Sequence, residues 1–172
     1  MACALTSSFP LDCLDGVGGI REIKVKTLPS TLTGYTLTSG VISTSAGDAR
    51  NGWYTYVLPQ GTAMLTETTT VNRSNGTNFS AVELKVIINK LRANVRNELK
   101  LLSQARLQVA IKTYDASYWI VGYENGLVLE SSANSTGTAK GDRTGYEMTF
   151  KGEEVEPMGS ISSTTYDLLV TA

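Results

Sequence analysis

Histidine is absent from the 172-residue chain, and cysteine occurs only at positions 3 and 13. Without an imidazole there is no Ser-His-Asp or Cys-His nucleophilic site and no side-chain base poised near neutral pH. Two thiols without histidine do not complete the four ligands of a structural zinc site, and in a reducing compartment they are expected to stay free. Charge of either sign is scarce as well. Fifteen Lys and Arg stand against sixteen Asp and Glu, a formal charge of -1, which argues against a basic nucleic-acid-binding module or an anionic membrane as a tight partner. No run of about 18 apolar residues occurs, and the start MACALT has neither a basic region nor an apolar stretch of signal-peptide length. The expectation is a soluble protein made in the cytosol. One domain over residues 1–172 is expected, with no linker or repeat to divide it.

The chain does carry uncharged polarity. Thr and Ser make up roughly a fifth of it, and Thr favours pleated, half-buried positions. The fold class is therefore mainly β (α+β), an antiparallel sandwich or barrel. Residues 1–19 mix apolar positions with Pro10, Gly16, Gly18 and Gly19 and read as an irregular arm. Residues 20–28 alternate, with Ile23 and Val25 on one face and Glu22, Lys24 and Lys26 on a face expected to be wet. Segments 33–43 and 53–58, separated by the Gly- and Asp-containing stretch 46–52, fit a hairpin with a loose loop.

Residues 62–89 carry the strongest β signal, since two alternating runs flank Asn75-Gly76, a dipeptide suited to a two-residue type I′ turn. With Ser74 opposite Thr77, Thr69 faces Val82, Glu67 faces Leu84 and Leu65 faces Val86, a mainly apolar surface. The other surface carries Thr70 with Ala81, Thr68 with Glu83 and Thr66 with Lys85, and should face water. Such arms are long for a domain of this size, which suggests that something outside the monomer pairs with them.

From Asn89 to Ala105 the period changes. Leu91, Val95, Leu99 and Leu102 recur at helical spacing, predicting one amphipathic helix over about 90–105, with Asn89 as its cap and Arg106 near its C-terminus. Alternation then returns in RLQVAIKTYD, SYWIVGY, LVLESS and GYEMTFKGEE, a second antiparallel set. Residues 133–144 form a polar loop between them, and YDLLVTA reads as a last strand.

No motif carries chemistry. Gly16-Val17-Gly18-Gly19 lacks the preceding strand and following Lys of a phosphate loop and reads as a turn into the Ile20 strand. Glu153, Glu154 and Glu156 read as a solvated acidic edge, because neighbours in a strand point to opposite faces. Arg92, Arg96 and Lys100 read as a solvated helix face. Trp53, Tyr54, Tyr56, Tyr118 and Trp119 are flat enough to stack on sugars, but alternation sends at least one per strand into the core. No catalytic, cofactor-binding or metal-binding residue is named, and the chain is not expected to be an enzyme.

The segments MACALTSSFPLDCLDGVGGIREI, TVNRSNGTNFSAVELKVIINKL with the helix RANVRNELKLLSQ, and SYWIVGYENGLVLESS followed by GDRTGYEMTFKGEE resemble the major tail tube proteins of tailed bacteriophages, particularly those of phages infecting Bacteroidetes. The tubes of contractile injection systems look similar. The resemblance covers nearly the whole chain. It implies a structural virion protein, assembled in the host cytoplasm, whose subunits close into hexameric rings that stack into a hollow tube. The long hairpin would contribute to an inter-subunit β-barrel. Thr66, Thr68, Thr70, Glu83 and Lys85 would line the lumen through which DNA passes. Leu91, Val95, Leu99 and Leu102 would pack on the hairpin's apolar face. Implied partners are further copies, other tail proteins such as terminator, baseplate or sheath, and DNA in transient, non-specific contact, with no membrane and no cofactor. The arm 2–19 and loop 133–144 would make the contacts between subunits or rings. A capsid decoration or head-tail connector protein, or a glycan-binding β-sandwich module using Trp53, Tyr54 and Trp119, are the competing expectations.

Overall fold

The computed structural model describes residues 16–29, 35–44 and 50–170, so the N-terminal arm before Gly16, both cysteines, Thr33 and the stretch 45–49 lie outside the described residues. Eleven strands and two short helices form a mainly β fold of two sheets, which do not close into a barrel within these residues. The strands are β1 (Ile20–Thr27), β2 (Tyr35–Thr38), β3 (Val41–Thr44), β4 (Tyr54–Val57), β5 (Ala63–Asn72) and β6 (Thr77–Asn89), then, after helix α1 (Ala93–Leu102), β7 (Leu107–Thr113), β8 (Tyr118–Val121), β9 (Val128–Ser135), β10 (Gly145–Glu154) and β11 (Gly159–Ser160). Helix α2 (Ser163–Asp167) follows. One sheet has seven strands in the order β2-β3-β11-β8-β7-β1-β4, and the other has four in the order β5-β6-β10-β9. Segments 33–43 and 53–58 therefore do not pair with each other. The first is a hairpin in itself, β2 with β3, and the second pairs with β1.

The sheets pack face to face. Ile23, Val25, Val109 and Ile111 of the larger sheet share one core with Val82, Leu84, Val86, Met148 and Phe150 of the smaller. A second core lies on the other side of the larger sheet, where Trp53, Ala110, Ile120, Tyr166 and Leu169 are buried together. This second layer corrects the expectation of a wet face on β1, because Lys24 and Lys26 are 8% and 9% exposed under it. Alternation alone does not distinguish a solvated face from one covered by a segment distant in sequence. The cover is the C-terminal segment, which forms α2 instead of the expected last strand. Ser162 caps α2 by accepting from the amide of Thr165 at 3.1 Å.

Helix α1 is shorter than its periodicity predicts. Asn89 is not its cap but the last residue of β6, opposite Gly145. The helix starts after Arg92, whose backbone is extended and whose side chain makes no cap, and Arg106 lies beyond its end. Leu99 is buried in the main core and Val95 and Leu102 pack against that core, while Leu91, ahead of the helix, is 39% exposed. Three of the four stripe residues thus meet the core and Leu91 lies ahead of the helix. Ala133–Ser135 of the expected polar loop belong to β9, leaving 136–144 as the connection.

Candidate functional site: the polar face of the four-stranded sheet

The β5–β6 hairpin sets the register of this face. Its turn spans four residues, Arg73–Gly76, because the Asn72 side-chain oxygen accepts from the Ser74 amide at 3.1 Å and the Ser74 hydroxyl at 2.6 Å, while Gly76 takes a φ of +70°. Asn72 pairs with Thr77, so the partners are displaced by two positions from a two-residue turn: Thr69 faces Ser80, Glu67 faces Val82, Leu65 faces Leu84 and Ala63 faces Val86. Thr70 faces Phe79, Thr68 faces Ala81, Thr66 faces Glu83 and Met64 faces Lys85. A shift of two preserves every side chain's face, where a shift of one reverses it. Thr66, Thr68, Thr70, Glu83 and Lys85 therefore share the face turned away from the core, and the four residues other than the partly buried Glu83 are exposed.

The opposite face meets the core through Ala63, Leu65, Val82, Leu84 and Val86, with Val71 and Thr69 exposed where the hairpin runs on past it. Glu67 is the hairpin's one acid on that side. It is accommodated because its carboxylate accepts from the Ser80 hydroxyl at 2.6 Å and the Met158 amide at 2.7 Å.

Strand β10 adds charges to the outer face that the hairpin alone does not reveal. Thr149 is opposite Lys85 and Lys151 opposite Glu83, and β9 lies beyond, its register interrupted so that Glu130 has no partner across the ladder. The Glu83 carboxylate meets Lys85 at 2.9 Å and Lys151 at 3.6 Å, and Lys151 meets Glu130 at 2.7 Å. Cations and anions alternate along this row and cancel. The hydrogen bond from Lys85 holds the Glu83 carboxyl below its ordinary range, and the hydrogen bond to Glu130 raises Lys151. Lys85 is thus neutralised locally. The signal for this network lies in the alternation of GYEMTFKGEE, which puts Glu147, Thr149, Lys151 and Glu153 on one side.

A shallow groove of about 830 Å³ crosses this face, lined by Thr66, Thr68, Glu83, Lys85 and Lys151 and, at one end, by Arg106. Gly152 shapes that end, because a Cβ there would stand 2.6 Å from a Leu127 methyl and 2.8 Å from the Gly126 oxygen. The outer edges of β5 and β9 pair with no strand among the described residues.

Of the other residues singled out by the sequence, Glu153 lies on this face and lines its groove, and those that follow fall elsewhere. Trp53 is fully buried in the second core, Tyr54 is 60% exposed on β4, and Tyr118 packs 5.1 Å from Tyr166, so the five aromatics do not form one platform. Arg92, Arg96 and Lys100 are exposed. Glu154 is not part of a solvated edge: it is 3% exposed, and its carboxylate oxygens both lie 3.2 Å from the Asn125 amide they accept from. Burial pushes its carboxyl up while the backbone amides of Asn125, Gly126 and Glu124 oppose the shift. Among the described residues no cluster of His, Cys, Asp or Glu could hold a metal ion, and no helix is long and apolar enough to cross a membrane. Comparison with protein-family models, with curated proteins and with solved structures finds no match to this chain.

Proposed function

We propose that this chain is a structural subunit of a hollow tube of the phage-tail kind, in which six copies close into a ring and rings stack. The observation that carries the reading is the pairing state of the four-stranded sheet. All its pairs are antiparallel and their number of strands is even, so β5 and β9, its open edges, run in opposite directions. An edge β9 of one copy can then add to the edge β5 of the next in the same antiparallel sense. Repeating that one head-to-tail contact removes every open edge of this sheet.

Six copies of a four-stranded sheet make a barrel of 24 strands, and at a tilt of ~40° and ~4.8 Å between strands its backbone diameter is on the order of 50 Å. Such a barrel encloses an aqueous channel. Its lining would be the threonine-rich face, with Glu83, Lys85, Lys151 and Glu130 cancelling in charge. A basic lining would bind DNA through release of counterions and hold it in place, whereas a hydroxyl-rich, near-neutral lining leaves the polymer free to slide. Terminator, baseplate or sheath proteins would meet the tube's ends or outside, and the setting would be the virion.

Negative-stain microscopy of the purified protein at high concentration tests this reading. Rings with a central hole, or stacked hollow rods, are expected. Monodisperse globules at every concentration would overturn it.

A further inference from the structure

The two ends of the four-stranded sheet differ in charge. Strand β10 spans ten residues, about 30 Å from end to end. At its start lie Lys140 and Arg143 of the preceding loop, together with Lys90, whose amide donates to the Thr144 oxygen at 2.7 Å, and Arg92, whose carbonyl accepts from the Tyr146 hydroxyl at 3.3 Å. The anions at this end are already engaged. Asp142 accepts from the Thr138 and Ala139 amides, and Glu147 pairs with Arg143 at 3.1 Å. At the other end of β10 stand Glu153 and Glu156, with Glu124 brought beside them because the Asn125 side chain donates to the Glu153 carbonyl at 2.9 Å. These three acids are exposed. The cations toward that end are Arg106, which lines the groove with Asn125, and Arg73 at the hairpin tip.

The acidic end also contains a socket. Tyr35, Leu37, Ile42, Tyr123, Glu124 and Glu156 line a pocket of about 230 Å³. Tyr123 is only 8% exposed, and its hydroxyl has no hydrogen-bond partner among the described residues. That hydroxyl is enclosed, and Tyr123 forms part of the socket's wall. Leu37 and Ile42 offer an apolar wall, and Glu124 and Glu156 two carboxylates. That combination suits a side chain with an aliphatic stem and a cationic head, a lysine or arginine.

We propose that this socket receives a basic side chain from the opposite end of a second copy of the chain, so that copies stack acidic end to basic end. Lys140, exposed in the 136–144 connection and without an ion pair among the described residues, is the candidate for the incoming residue. The contact is heterologous, joining two different patches, and so propagates along an axis. It rests on the reading of the chain as a ring-forming subunit and supplies what edge pairing does not, the direction in which rings stack.

The test compares the wild type, E124K/E156K, Y123F, and the combined variant E124K/E156K/K140E/R143E by negative-stain microscopy and sedimentation, with circular dichroism confirming that each folds. Wild-type rods are expected to fall apart into single rings between ~0.05 M and ~1 M salt, as the screening length shrinks from over 10 Å to about 3 Å. E124K/E156K should form rings that do not stack, and reversing the charges at both ends should restore rods. Y123F leaves both charged ends intact and should stack as the wild type does, which separates loss of charge from a change in the socket's wall. E124K/E156K rings that stack as the wild type does, or rods indifferent to salt, would overturn this inference alone. The absence of rings in every variant would overturn the ring reading and this inference with it.

Discussion

The Lys24 ammonium stands 4.4 Å over the ring of Tyr166 and donates to that residue's carbonyl oxygen at 2.8 Å. A second bond of 2.8 Å reaches the Leu169 carbonyl, and the Tyr166 hydroxyl donates to Glu22 at 3.1 Å. One buried cation thus satisfies carbonyls at the C-terminal end of α2 and ties the second core to β1. Replacing it by methionine keeps the stem but leaves both carbonyls without that partner. Lys24→Met should cost about 3 kcal/mol, measured by urea unfolding, with earlier proteolysis between residues 161 and 170 than in the wild type. A loss under about 0.5 kcal/mol would show that α2 is held by its apolar side chains alone.

Alkaline pH should unfold the subunit through its buried phenols. Burial pushes Tyr35 and Tyr123 up to about 12, and it also raises Tyr166, with help from Glu22. The ordinary phenol value is 10.0, so above it the folded state holds protons that the unfolded chain releases. Stability from these groups is full below about pH 10 and is lost as pH rises toward 12. Lys24, lowered by burial, acts in the opposite sense, since its charged form is disfavoured by folding. Tyr56 is raised by burial as well, and four phenols against one lysine predict a net fall above pH 10 in denaturant midpoints taken from pH 8 to 12. Tyr123→Phe removes an unsatisfied hydroxyl and should raise stability at pH 7 by about 1 kcal/mol while making the alkaline fall shallower.

The helix stripe is unequal along its length, and truncations should show it. Leu99 is 9% exposed and Leu91 39%. Leu99→Ala should cost about 3 kcal/mol by opening a cavity against the sandwich core, whereas Leu91→Ala should stay within about 0.5 kcal/mol. Equal losses in thermal or chemical unfolding would mean that the stripe packs as its periodicity alone implies.

Charge on the threonine-rich face should control retention of DNA. In E83K/E130K the row that now cancels becomes wholly basic. Assembled protein carrying these changes should retain duplex DNA at low salt and release it steeply as salt rises, while the wild type retains little at either salt. Filter binding across a salt series measures this. Equal retention by both would mean that the face does not meet the DNA.

The hairpin's faces are legible in sequence because a period of two survives an error of two. The Asn72 side chain lengthens the turn, and each residue keeps its side of the sheet while changing its partner. The helix is legible in kind but not in length, since strand pairing with Gly145 claims Asn89. Lys24 and Glu154 are not legible. Each is an ordinary charged residue in an alternating run, and what buries it comes from a segment 142 residues away in one case and 29 in the other. The paired charges of the outer face are half-legible, because Glu83 and Lys85 belong to one strand while Lys151 and Glu130 arrive from two others.

Hydrogen exchange at low and high protein concentration tests most directly whether the sheet is completed by neighbouring copies. Amides of β5 and β9 are expected to gain protection only as the protein assembles, while those of β7, already paired on both sides, exchange at the same slow rate throughout. Amides of β5 and β9 that exchange equally fast at every concentration would contradict it.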